Sequence, residues 1–160
     1  MGPDPRRPDR AGRRGRCRQR PLQSGGGQLC DAGLLGLYDR ISRWKRRRFG
    51  YRFVLAPETI GSLCYLFRHG DRLRERLDGG LVLTCLGGPA ETLSYKASRR
   101  GTSTLDTLVA QLGVADGYRL RPFTPTNGSD ERQYCSPGFN LPVGQMGRTL
   151  YGDYAGYHTS

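Results

Sequence analysis

The chain has 160 residues, enough for one domain with a core of its own and short for two. It carries 26 Lys+Arg against 14 Asp+Glu, yet residues 1–50 hold 14 of those cations with 4 acids, while residues 51–160 hold 12 with 10. The basic character is therefore local, and a nucleic-acid or membrane-surface role does not extend to the nearly neutral body. Five cysteines at wide spacing, with no C-x-x-C pair, exclude a disulfide framework and a zinc-finger pattern. No apolar run reaches the roughly 18 residues a membrane span needs, and no hydrophobic signal core follows the basic start. A soluble cytoplasmic chain is the expectation.

Residues 1–28, MGPDPRRPDRAGRRGRCRQRPLQSGGGQ, combine eight arginines in the first twenty positions with repeated Pro and Gly and almost no large apolar side chain. Such a stretch cannot offset its ordering entropy, so disorder is expected over 1–31 and a folded domain over 32–160. Three readings of the basic segment stand side by side: an arginine-rich nucleic-acid arm, a solvated tail, or text that is not native coding sequence.

From Ala32 to Trp44, Leu34, Leu35, Leu37, Tyr38, Ile41 and Trp44 recur at three and four residues, which predicts a helix ending in the cations Lys45–Arg48. Tyr51, Phe53, Val54 and Leu55 read as a strand. After a turn at Ala56-Pro57, Ile60, Leu63, Cys64 and Phe67 take helical spacing. A short charged helix is expected at 71–77, a buried central strand at 81–86 (LVLTCL) and a shorter exposed strand at 92–98 (TLSYKAS). Leu105, Leu108, Val109 and Leu112 predict a capped helix over 102–112. Strands follow at 118–123 and 140–146, with a loop at 127–138 between them. These elements imply an α/β domain with a mixed sheet.

Three places could carry chemistry. Glu58, the only acid between Tyr51 and Gly70, stands beside a proline where a strand gives way to a helix, the kind of position that gathers functional groups in open α/β sheets. It could serve as a general base among apolar neighbours or as a first-turn glutamate favoured by the helix dipole. Asp130, Glu131, Arg132 and Tyr134 crowd one loop, either as a site or as a solvated surface. His158 offers one imidazole, whereas catalytic zinc takes three protein ligands. His69 reads as a helix-end group.

Taken together, FVLAPETIGSLCYL (53–66), LVLTCLGGP (81–89) and SDERQYCSPGFNLPVGQMGRTLYGDYAGYHTS (129–160) resemble a bacterial aminopeptidase-like domain family of unknown function found near polysaccharide-biosynthesis genes and related to zinc-dependent aminopeptidases. The resemblance covers about residues 37–160. It implies a three-layer α/β/α sandwich of zinc-peptidase type, with Glu58 as general base on a metal-bound water and His158 as a zinc ligand. Asp130, Glu131, Arg132 and Tyr134 would line the substrate side.

This sequence departs from the family pattern at Thr59, where a second glutamate is usual, and at Thr84, where an aspartate is usual. It also lacks the upstream H-x-C-H-P and N-D-N-L-S-G motifs. The expectation is a truncated, C-terminal piece of such a hydrolase, acting on peptide or related amide bonds in its complete form and inactive alone. Zinc belongs to the complete relatives, no membrane partner is expected, and nucleic acid or an acidic surface is the partner of the alternative reading, a non-enzymatic module with a basic arm.

Overall fold

In the computed structural model the described residues are 19–24, 28–87 and 91–148. They build one mixed sheet flanked by helices. The strands are β1 (Gln19–Ser24), β2 (Gly50–Leu55), β3 (Gly80–Leu83), β4 (Ser94–Lys96), β5 (Arg119–Arg121) and β6 (Val143–Gly147). The helices are α1 (Gln28–Ser42), α2 (Ile60–Arg76), α3 (Thr104–Asp116) and α4 (Glu131–Tyr134). Sheet order is β2-β1-β3-β6-β4-β5, with β4 antiparallel to β6 and every other neighbouring pair parallel.

Strand alternation sends successive side chains to opposite faces, and the two apolar clusters sort accordingly. On one face Leu34 and Ile41 of α1 meet Leu83, with Tyr51, Phe53, Leu81 and Met146 packed around them. On the other, Leu66 and Leu73 of α2 and Tyr134 and Cys135 at α4 meet Val82 and Val143. The register opposes Tyr95 to Met146, which puts Tyr95 on the α1 face, and there its hydroxyl donates to Asp106 of α3 at 2.8 Å. The result is the expected α/β/α sandwich with a mixed sheet.

Asp106 ties α3 down through more than that bond. Its carboxylate accepts from the hydroxyls and backbone N–H groups of both Ser98 and Ser103, and the Asp106 N–H donates back to Ser103 Oγ at 3.1 Å, which with the Ser103 N–H bond makes a capping box at the start of α3. Burial alone would raise its pKa, but the Ser103, Ser98 and Tyr95 donors outweigh burial and hold the carboxyl below its ordinary range.

Several expectations are corrected. Within the segment expected to be disordered, residues 19–24 form β1, paired in parallel on both sides. Backbone ladder bonds, which composition does not report, place them between β2 and β3. Residues 1–18 and 25–27 lie outside the described residues. The charged helix expected at 71–77 is the continuation of α2, which passes through a buried Gly70 because the missing Cβ leaves room for the Phe139 ring. The inner stripe of α2 is Ser62, Leu66, Gly70 and Leu73, while Ile60, Leu63, Cys64 and Phe67 face outward, Phe67 at 90% exposure.

In α3, Val109 is buried but Leu108 and Leu112 are exposed. The strand expected to be exposed at 92–98 is an interior one, with Ser94, Tyr95 and Lys96 all buried between β6 and β5. The loop expected at 127–138 contains α4.

Replacing Leu73, 2% exposed in the α2 cluster, with Ala should cost about 2–5 kcal/mol in urea unfolding. The outward Leu108→Ala should stay within about 0.5 kcal/mol. Equal losses for the two would contradict the assigned faces.

Candidate functional site

Strands β1, β2, β3 and β6 run in the same direction, so their carboxyl ends share one edge of the sheet. Open α/β sheets bind ligands outside that edge. Here β2 delivers Ala56-Pro57-Glu58-Thr59, β3 delivers Thr84 and Cys85, and β6 delivers the chain to Arg148. Thr84 passes its backbone N–H to the Met146 carbonyl at 3.0 Å, so the β3 and β6 exits are laced together.

Glu58 is exposed and precedes α2, so it is not a first-turn helix residue. Its carboxylate Oε1 accepts the hydroxyl of Ser129 at 2.5 Å, a contact across 71 positions of sequence. Thr59 adopts φ 62° and ψ −67° at the centre of a γ-turn closed by the Ile60 N–H to the Glu58 carbonyl at 2.7 Å, a conformation unusual for a β-branched residue. Its N–H donates to Asp130 Oδ1 at 2.7 Å, which holds the backbone in that conformation. The 129–130 segment therefore grips both residues at the head of α2.

That segment is itself anchored from beneath. Glu131 and Lys96 are 0% and 1% exposed and form a buried ion pair with a 2.8 Å Nζ to Oε1 separation. The Lys96 ammonium also donates to the carbonyls of Thr124 and Asn127, giving all three of its protons an acceptor, and lies 5.0 Å from the centre of the Phe123 ring. The other Glu131 oxygen accepts the Ser129 N–H at 2.9 Å. Between them Gly128 sits at φ 151°, where a Cβ would overlap both the Glu131 carboxylate and the Lys96 ammonium.

The substrate-facing role expected for Asp130, Glu131 and Tyr134 does not match their places. Asp130 and Glu131 are 0% exposed and Tyr134 is 2% exposed, with the Ser62 hydroxyl bonded to both Asp130 and Tyr134. These polar groups are buried because each has partners there. Arg132 is half-buried and turns its Nε to the Ser129 carbonyl at 3.2 Å.

Burial drives the pKa of Asp130 up, with the Ser62 hydroxyl and Thr59 N–H opposing it, Glu58 adding repulsion and Arg132 a small relief. Tyr134 is raised by burial and by the nearby Tyr65 and Asp130. His158 lies outside the described residues. His69 packs its ring 4.8 Å from that of Tyr65. Among the described residues no group of three or more His, Cys, Asp and Glu side chains could hold a metal ion.

Sequence reasoning singled out Glu58 but not its partner Ser129, whose contact exists only once the turn after β2 and the 124–131 loop meet. Asp130 stood out for its charge, and its work is to hold the Thr59 backbone.

Residues 32–160 match the family described as "Domain of unknown function (DUF4910)". A Clostridium acetobutylicum protein named "Putative polysaccharide biosynthesis protein with aminopeptidase-like domain" is 44% identical over 117 residues, covering 72% of this chain and 26% of that protein. A solved structure described as a "putative peptidase" from the same organism superposes with a TM-score of 0.80 at 34% identity, covering 90% of this chain and 35% of the other. The chain therefore spans about a quarter to a third of the length of these relatives.

A folded carboxyl with a raised pKa binds its proton more tightly than the unfolded one. Its contribution is full below the ordinary carboxylate range and is lost as pH rises through the raised value. Asp130→Asn keeps an acceptor for the Thr59 N–H without a charge to bury. Urea unfolding of this variant between about pH 4 and pH 7 should decline less in stability than the parent chain. An unchanged slope would remove Asp130 as the source.

Proposed function

The chain belongs to the DUF4910 family, and on that premise we propose that it is part of a hydrolase acting on peptide or related amide bonds, with Glu58 as its general base. The observation that carries this reading is an exposed carboxylate at the carboxyl edge of the sheet, fixed by the Ser129 hydroxyl and by the Asp130 hold on the next residue. A general base must stand within hydrogen-bond reach of the proton it takes, and an oriented, solvent-facing oxygen meets that demand. Glu58 would remove a proton from the attacking water and return it to the leaving amine. The names of the relatives, aminopeptidase-like and peptidase, support the substrate class.

The zinc that the family resemblance implies does not fit the described residues, which contain no ligand cluster. Zinc is proposed for complete family members, with His158 as one ligand, and the chemistry assigned to the described part is that of Glu58 alone. No helix among the described residues is long and apolar enough to cross a membrane. A cytoplasmic location is part of the proposal.

The purified 160-residue chain should show no zinc-dependent release of p-nitroaniline from amino-acid anilides, and measurable turnover would refute this. In a full-length protein carrying this domain, Glu58→Gln should lower kcat by about 10²–10⁴-fold, the usual worth of a general base. Near-normal kcat in that variant would eliminate Glu58 from the reaction.

A further inference from the structure

The turn from α1 into β2 carries the densest charge among the described residues. Arg40, Arg43, Lys45, Arg46, Arg47 and Arg48 fall within nine positions, and Asp39 is the only acid between Ala32 and Pro57. The sequence pattern predicted that Lys45–Arg48 would close a helix and complement its dipole. Instead α1 ends at Ser42, only Arg40 lies in its last turn, and the run Lys45–Arg48 follows in an irregular loop. The helix dipole acts within the last turn, so it does not account for these four cations.

Nor does internal pairing account for them. Arg43 meets Asp39 at 2.9 Å, and Arg48 lies over the Phe49 ring at 5.6 Å. Among the described residues Lys45, Arg46 and Arg47 make no ion pair, and all of 42–48 is exposed.

Exposed apolar side chains stand beside these charges. Trp44, 47% exposed, sits within the cationic run and rests edge-on against Tyr51 of the edge strand β2. Tyr38 and Leu35, 55% and 57% exposed, are one turn apart on α1, and Tyr38 rests edge-on against Phe53. Cations with aromatic and aliphatic groups on one exposed surface supply the two signals that peripheral membrane attachment requires. A phosphodiester strand would use the cations but would gain nothing from Leu35. The loop lies at the amino end of β2 and Glu58 beyond its carboxyl end, about 20 Å away at roughly 3.3 Å per residue, so contact there leaves the Glu58 edge open.

We propose that loop 43–49 and the adjoining outward stripe of α1 form a docking surface for an anionic phospholipid membrane. The cations meet lipid phosphates, and Trp44, Tyr38 and Leu35 enter the interface. The absence of a spanning helix bears on crossing a bilayer and leaves this surface contact untouched.

Sedimentation of the full 160-residue chain with sucrose-loaded vesicles tests this. Vesicles of phosphatidylcholine with a quarter phosphatidylglycerol should bind the chain in low salt, and pure phosphatidylcholine should not. Replacing Lys45, Arg46, Arg47 and Arg48 together with Gln should lower the partition coefficient by about two to three orders of magnitude at an unchanged thermal midpoint. Leu35→Ser with Trp44→Ser should lower it by about tenfold.

Two results would overturn the proposal. In the first, the loop variant binds like the parent while Gln at Arg6, Arg7, Arg10, Arg13, Arg14, Arg16 and Arg18 abolishes binding, which assigns the contact to the arm. In the second, a single-stranded oligonucleotide binds at least as tightly as the vesicles, and the Leu35/Trp44 double variant binds both as the parent does.

Discussion

The geometry around Glu58 depends on the ion pair between Lys96 and Glu131. Both groups are almost fully removed from water, and two charges brought that far from solvent are tolerated only when their remaining hydrogen-bonding capacity is filled. Here it is: two backbone carbonyls complete the ammonium, and the Ser129 N–H takes the second carboxylate oxygen. This arrangement fixes the path of residues 124–131, and that path puts the Ser129 hydroxyl and the Asp130 carboxylate where the 57–59 turn can reach them. An interior strand of three residues thus determines the attitude of an exposed carboxylate in the turn that follows β2. Losing either member of the pair would leave its partner as an uncompensated charge, and the local structure would have to move to hydrate it.

Much of the framework could be read from the residues because its signals are local. The apolar runs at Tyr51–Leu55 and Leu81–Leu83 and the strand at Val143 announce themselves by pattern, and Pro57 marks the turn that exposes Glu58. The helix α2 misled for a definite reason: it carries apolar residues on both sides. Ile60, Leu63 and Phe67 form the more regular stripe, but the sheet takes Leu66 and Leu73 and fills the spaces between with Ser62 and Gly70. A helix apolar on two faces gains from burial on both, and the described residues cover one.

The loop at 127–134 was harder to read for the opposite reason. Four ionisable side chains in sequence look like solvated surface or like a substrate site, and which is true turns on partners elsewhere in the chain. Lys96 lies 35 residues from Glu131, and Thr59 lies 71 from Asp130. Periodicity carries no information about such pairs. The Gly128 conformation is a further long-range requirement: nothing in NGSDE announces that a side chain there would collide with a lysine from β4.

The same separation bears on how the chain acquires its shape. Strand β2 and helix α2 are local in sequence and can take form as soon as they are synthesised, but the Ser129 hydroxyl that orients Glu58 is 71 residues further on, and closing so long a loop is entropically costly until the sheet has drawn its ends together. The Glu58 carboxylate therefore has a fixed direction only after β3, β4 and β6 are assembled. A ribosome-bound chain halted before residue 129 would hold every atom of Glu58 and none of its orientation.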